Sequence, residues 1–393
     1  MLLSFALILL CGLILSNIME KFKLPGLLGM MAAGAVLGPY ALNLISPTIL
    51  DNSADIKIIA LIIILIRAGF ALDLKDLKKI GRPAILMSCI PAIFEMITVI
   101  VFAPMLLPVS HLEAAVLGAV LAATSPAIII PRMLKIKEKG YGTEKSIPQL
   151  MMAGASANGI FVIVLFTSFL GMYQGEGFNV AGILQLPIAV VAGLALGAVL
   201  GVCLAIFFKK SHVSDMVKML IFLSIAFLFA ALDDTINQYI PFSGLLAVMA
   251  LSVTILSLSK ATAKLLSGKF SKIWVCAEVL LFVLIGAAID ISYMHDIGFA
   301  ACLLIALALM FRMAGVWCCL IRTNLWAREK LFCMVAYMPK ATIQAAIGSI
   351  PLSAGVAAGH TILAIAVLTI IITAPLGAIG IDRLYKKLLT KKE

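Results

Sequence analysis

Long apolar runs broken by short polar connections dominate the chain. Thirteen runs stand out, at about 1–18, 25–45, 56–72, 83–107, 112–134, 148–171, 185–208, 216–232, 240–258, 272–292, 298–320, 328–350 and 355–382. Each is long enough to cross about 30 Å of hydrocarbon as a helix. In lipid every backbone N–H and C=O must be satisfied within the protein, and at this run length helices are the spanning element that does so. The pattern predicts an all-α polytopic membrane protein with about thirteen transmembrane helices.

The basic residues test that count independently. Lys and Arg gather in every second connection: at Lys21 and Lys23, then Lys75 to Arg82, then Arg132 to Lys145. They gather again at Lys209 to Lys218, Lys260 to Lys272, Arg322 to Lys330 and Arg383 to Lys392. These clusters hold 26 of the 30 basic residues. The alternate connections and their edges hold one, Lys57, and carry Asp51, Asp55, Glu113, Glu176, Asp233, Asp234, Asp290 and Asp296 instead. The positive-inside rule then puts the N-terminus outside and the C-terminus in the cytoplasm, which requires an odd number of spans. The expected location is the cell (inner or plasma) membrane. Met1–Ser16 lacks a basic leader and reads as a first span.

Composition agrees. Of 393 residues, 63% are hydrophobic and 12% charged, against about 45–50% and about 25% in soluble domains. The net charge of +11 comes from the basic loops, which face anionic lipid headgroups rather than nucleic acid. The eight cysteines are scattered through apolar stretches without paired spacing and read as small core residues. His111, His212, His295 and His360 share no ligand spacing, so neither a resident metal nor a cofactor is expected. No nucleophile–base constellation, HExxH or phosphate-binding glycine loop is present, which argues against an enzyme.

Five charges fall inside spans: Arg67, Glu95, Glu278, Arg312 and Lys340. Each costs at least about 2.5–3.5 kcal/mol at bilayer depth unless it meets a partner or a water-filled cavity. For Arg67, Glu95, Glu278 and Arg312 the reading is structural ion pairing. Lys340 is different because it follows Pro339, which interrupts span 12 near its middle. Span 5 has a similar interruption at Thr124-Ser125-Pro126. Interrupted helices at matching places in two halves mark the substrate site of secondary transporters. Spans 5 and 12 are seven apart, an odd offset that suits an inverted repeat. The same offset pairs span 4 with 11 (Glu95, Arg312) and span 3 with 10 (Arg67, Glu278). Span 6 adds Gly154-Ala155-Ser156-Ala157-Asn158-Gly159, small residues for close packing around one amide.

These residues are similar to those of bacterial monovalent cation:proton antiporters of the sodium/proton exchanger superfamily, over nearly the whole chain. The resemblance is carried by Leu24-Pro25-Gly26-Leu27-Leu28-Gly29, Ile66-Arg67-Ala68-Gly69-Phe70-Ala71-Leu72-Asp73 and Thr124-Ser125-Pro126-Ala127. Pro241-Phe242-Ser243-Gly244, Phe282 to Asp290 and Met338-Pro339-Lys340-Ala341-Thr342-Ile343-Gln344 complete it. It implies a homodimer built on a scaffold (about 1–80 and 216–292), a mobile core (about 83–171 and 298–382) and a linker helix (about 185–208). It implies two crossed, discontinuous helices and alternating access by movement of the core. It places the transport site at Thr124, Ser125, Ser156, Asn158, Gly159 and Lys340, with the monovalent cation and the proton as cargo.

One departure bears on mechanism. Such antiporters usually carry Asp-Asp or Asn-Asp where this chain has Asn158-Gly159. The second aspartate is the expected carboxylate for cation and proton. Asn158 cannot titrate and Gly159 has no side chain. Lys340 would then face desolvation alone and could itself carry the proton, or a displaced acid such as Glu95 could. Three readings stay open: a cation:proton antiporter with relocated coupling, an anion or organic-acid transporter of the same architecture, or a non-transporting paralogue.

Overall fold

The computed structural model describes the chain except residues 23, 72–80, 177–179, 212, 233–235, 237–241, 289–290 and 392–393, and the side chains of residue 160 and of most of 175–190 and 291–297. The basic connection at 75–79, the acidic pair Asp233–Asp234, Asp290 and His212 lie outside the described residues. The described elements are helical. The first group is α1 (Leu2–Lys21), α2 (Gly26–Leu37), the short α3 (Pro47–Asp51) and α4 (Ser53–Ala71). There follow α5 (Arg82–Leu106), α6 (His111–Ala122), α7 (Pro126–Glu138), α8 (Ile147–Gly171), α9 (Val180–Lys210), α10 (Asp215–Ala231) and α11 (Gly244–Leu258). The chain ends with α12 (Lys260–Ala287), α13 (Ile291–Cys319), α14 (Ala327–Ala336), α15 (Thr342–Ile347), α16 (Ile350–Ser353) and α17 (Gly359–Leu388). Each predicted span falls on a helix or, for the fifth and twelfth, on a broken helix. This is a multi-pass membrane protein of the predicted class.

Local chemistry sets the boundaries. α6 opens with a capping box: Ser110 Oγ accepts from the Glu113 N–H at 3.2 Å, and Glu113 returns by accepting from the Ser110 N–H at 2.8 Å. α2 is shorter than the 25–45 expected. It stops at Leu37 because Pro39 disfavours helix at the residue before it, and Gly38 is extended. The run continues as turns to Ser46. One face of α2 is buried by close approach: a Cβ on Gly34 would stand 1.9 Å from the Val283 carbonyl oxygen of α12, so the two backbones touch there.

The helices pack as two bundles. α5 is the hub of one, against α6, α8 and α13, with α7, α14 and α17 around it. In the other, α12 packs on α2, α4 and α1, and α11 packs on α4, α9 and α10. Fewer contacts join the bundles, chiefly α15 against α4 and α12. The packing places both broken helices inside the first bundle, with α15 at the seam.

Candidate functional site at the crossing of two broken helices

α6 ends at Ala122 and α7 begins at Pro126, so Ala123, Thr124 and Ser125 form an extended break. Proline suits the first turn of a helix and pushes the residue before it out of helical geometry. Ser125 is accordingly extended at φ −88°, ψ 104°. α14 ends at Ala336, and Tyr337 to Ala341 form the second break before α15. The breaks touch: the Ser125 N–H donates to the Pro339 carbonyl oxygen at 2.9 Å.

A broken helix leaves its last carbonyls without intrahelical donors. Here cations and an amide fill that role. Lys340 Nζ donates to Leu121 O, Arg312 Nη1 to Ala122 O at 2.9 Å, and Gln344 Nε2 to Ala123 O at 2.5 Å. Arg312 Nε also donates to Tyr337 O at the end of α14, at 2.9 Å. The C-terminal end of a helix dipole attracts positive charge, so both basic residues sit where the backbone favours them.

Glu95 of α5 neutralises part of that charge. Both its oxygens accept from Lys340 Nζ, at 2.6 and 2.5 Å, and Oε2 also accepts from Arg312 Nη1 at 2.5 Å. All three side chains are fully buried. The expectation that Lys340 faces desolvation without an acidic partner is therefore corrected. Its carboxylate comes from span 4, a helix that lies 245 positions away in the chain. Glu95 and Arg312, each expected in a structural ion pair, pair with one another, and Lys340 extends the pair to a triad with one negative and two positive charges.

Thr124 and Asn158 complete a relay behind the triad. Arg312 Nη2 donates to Thr124 Oγ1, which donates to Asn158 Oδ1 at 2.9 Å. Asn158 Oδ1 also accepts from the Thr124 N–H at 2.7 Å, and Asn158 Nδ2 donates to Ser88 O at 3.0 Å. Both lone pairs of that amide oxygen are thereby engaged, so Asn158 fixes the break of span 5 against α5. Ser125 Oγ and Thr342 Oγ1 are buried without a hydrogen-bond partner. They are the hydroxyls at the crossing that remain free.

Ser156 and Gly159 face a different space. A cavity of about 500 Å³ lies between the bundles. Its wall from the first bundle includes Pro126, Ile130 and Leu134 of α7, Ser156 and Gly159 of α8, and Ile343 of α15. The opposite wall carries Arg67 of α4 and Ser267, Ser271, Trp274 and Glu278 of α12. Arg67 stacks over the Trp274 ring, its Cζ 5.2 Å from the centroid. Arg67 and Glu278, each expected in a structural ion pair, share this cavity, and among the described residues the two make no direct ion pair. The cavity runs from Leu134 and Ser267, beside basic segments of the chain, to Pro126 and Gly159 at the crossing.

Of the expected site residues, the structure groups Thr124, Asn158 and Lys340 with Glu95 and Arg312. It sets Ser156 and Gly159 on the cavity and leaves the Ser125 hydroxyl free beside the Ser125–Pro339 contact. Sequence reasoning missed Gln344, whose Oε1 accepts from the Ala341 N–H at 3.0 Å, and Thr373 of α17, whose Oγ1 accepts from the Lys340 N–H at 3.1 Å. Gln344 was detectable as an amide three residues into an apolar helix start. Thr373 had no such signal.

Two helix bundles with a cavity beside paired helix breaks have the architecture of a secondary transporter. The family model described as "Sodium/hydrogen exchanger, transmembrane" matches residues 5–387. Human sodium/hydrogen exchanger 9B2 is 33% identical over 387 residues, covering 94% of this chain and 71% of that protein. Human sodium/hydrogen exchanger 9B1 is 31% identical over 388 residues, covering 94% and 73%. The solved structure of the sodium proton antiporter MjNhaP1 from Methanocaldococcus jannaschii at pH 8 matches with a TM-score of 0.82 at 21% identity, covering 98% of each chain. This last likeness is one of fold. The chain belongs to the sodium/hydrogen exchanger family.

Proposed function

We propose that the protein exchanges a monovalent cation, sodium or potassium, for protons by alternating access. The observation that carries this reading is the contact between Ser125 and Pro339: two helix breaks meet inside the bundle, and a cavity lined by first-turn residues after them, Pro126 of α7 and Ile343 of α15, lies beside that contact. Movement of the core (about 83–171 and 298–382) against the scaffold (about 1–80 and 216–292), with the helix at about 185–208 as linker, would move that meeting point between the two faces of the membrane. The cell membrane, an outside N-terminus, a cytoplasmic C-terminus and a homodimer belong to the same reading. Support comes from the family, the alternation of basic loops and the buried charges at the crossing.

In this reading the transport site lies between the crossing, where Ser125 sits, and the adjoining cavity wall of Ser156 and Gly159. Thr124, Asn158 and Lys340 frame it. The span-6 aspartate that the resemblance expects is replaced by Gly159, so proton coupling rests on another titratable group. A second reading, transport of an anion or organic acid, is favoured by one observation: the crossing holds a single carboxylate against two cations.

Reconstitution in vesicles with a pH-sensitive dye inside tests the proposal. Dye recovery on adding sodium or potassium chloride supports it. Recovery with carboxylate salts but not chlorides supports the second reading. Silence with all salts, relieved by Gly159→Asp, identifies a non-transporting paralogue.

A further inference from the structure

The chain lacks a span-6 carboxylate, and the acid that remains at the crossing is fully engaged. Glu95 accepts from Lys340 through both oxygens and from Arg312 through one, with no exposure to the cavity. To load a cation there, the protein would have to expel two buried positive charges. Breaking such a buried pair by removing one partner is strongly unfavourable, a poor basis for a site that must load and unload on every turn of the cycle.

Glu278 is in the opposite situation. Among the described residues that line the cavity between the bundles it is the carboxylate, and it is half-buried rather than sealed. Ser267, Ser271, Trp274 and Glu278 follow one another by four, three and four positions, the spacing of a single helix face. That face looks across the cavity at Ser156 and Gly159. The charges near Glu278 are Arg67 of α4 and Glu20 of α1. The walls from α7, α8 and α15 bring no charge. Arg67 is stacked on Trp274, which holds its guanidinium on the ring. A carboxylate open to a cavity, with serine hydroxyls on its own face and on the wall opposite, suits a hard monovalent cation.

We infer that Glu278 of α12 is the carboxylate at which cation and proton compete in this protein, in place of a span-6 acid, with the cavity hydroxyls Ser156 and Ser271 as further oxygen ligands. The inference rests on the exchange reading above and deepens it. The step balances one for one: the protonated Glu278 carboxyl gives up its proton to the cavity water and takes one monovalent cation, and the reverse step returns the cation and takes a proton. Glu95, Arg312 and Lys340 then serve as a fixed frame that carries no cargo.

The test compares wild type, Glu278→Gln and Glu278→Asp in dye-loaded vesicles, with sodium chloride and potassium chloride as probes. The inference expects wild-type recovery with at least one cation. It expects Glu278→Gln to fall to the level of empty vesicles. It expects Glu278→Asp to keep exchange, with the pH dependence of its half-saturating cation concentration displaced. A purely structural role would survive the isosteric Gln and leave the Asp pH profile in place. Wild-type exchange with an unchanged Glu278→Gln overturns this inference and leaves the exchange reading standing. A wild type silent with every cation overturns both. Should Glu278→Gln fail to give a monodisperse protein, the Asp profile decides: displaced supports the inference, unmoved overturns it.

Discussion

Glu95 and Lys340 meet at 2.6 Å in the middle of the protein, one from an unbroken helix and the other from a break in a helix far along the chain. Their meeting explains why a lysine is tolerated there. The ammonium is paired with a carboxylate and donates to the open carbonyl of Leu121. It thereby closes the end of α6 as well as balancing charge.

Glu95→Gln should destabilise the fold strongly. It leaves Lys340 and Arg312 buried without a full counter-charge, and breaking a buried pair costs about 3–5 kcal/mol. The melting temperature in detergent should fall by many degrees. An unchanged melting temperature would show that the triad does not hold the crossing.

Asn158 is expected to behave as a structural amide. Asn158→Ala leaves the buried Thr124 N–H without its acceptor, at about 1–3 kcal/mol for an unsatisfied buried group, and removes the side-chain tie to Ser88 O. Asn158→Asp keeps the acceptor for Thr124 but sets a second oxygen against Ser88 O, so it should also destabilise. A thermal melt of both variants checks this, and an Asp variant as stable as wild type would contradict the assigned bonding.

Two glycines should part company. A Cβ on Gly159 meets the end of the Ile343 side chain, Cδ1, at 2.9 Å, and a flexible side chain can move aside. A Cβ on Gly34 meets the Val283 backbone oxygen, which cannot yield without separating α2 from α12. Gly159→Ala should therefore cost little, while Gly34→Ala should cost in the range of about 1–3 kcal/mol that overpacking brings. Equal melting temperatures would contradict the packing described.

The fold was legible in the sequence because lipid imposes a simple code. Run length gave the spans, loop charge gave the alternation, and Pro126 and Pro339 gave the breaks. The site was legible only in part. Thr124, Asn158 and Lys340 were identifiable as polar residues at unusual places, and Glu95 and Arg312 as buried charges that need partners. That Glu95 also holds Lys340 could not be read, because the pairing depends on how α5 packs against α6 and α13. The engagement of both Asn158 oxygen lone pairs depends on the torsions of the break at Thr124. The cavity that sets Glu278 across from Gly159 arises between two bundles, and periodicity within one helix carries no trace of it.

Uptake of radiolabelled sodium or potassium into vesicles with an acidic interior tests the exchange claim most directly, since it follows the cation while the proton gradient supplies the drive. An exchanger accumulates the cation above its external concentration, and the accumulation vanishes when a proton ionophore collapses the gradient. Accumulation that never occurs, or uptake indifferent to the ionophore, would contradict the claim.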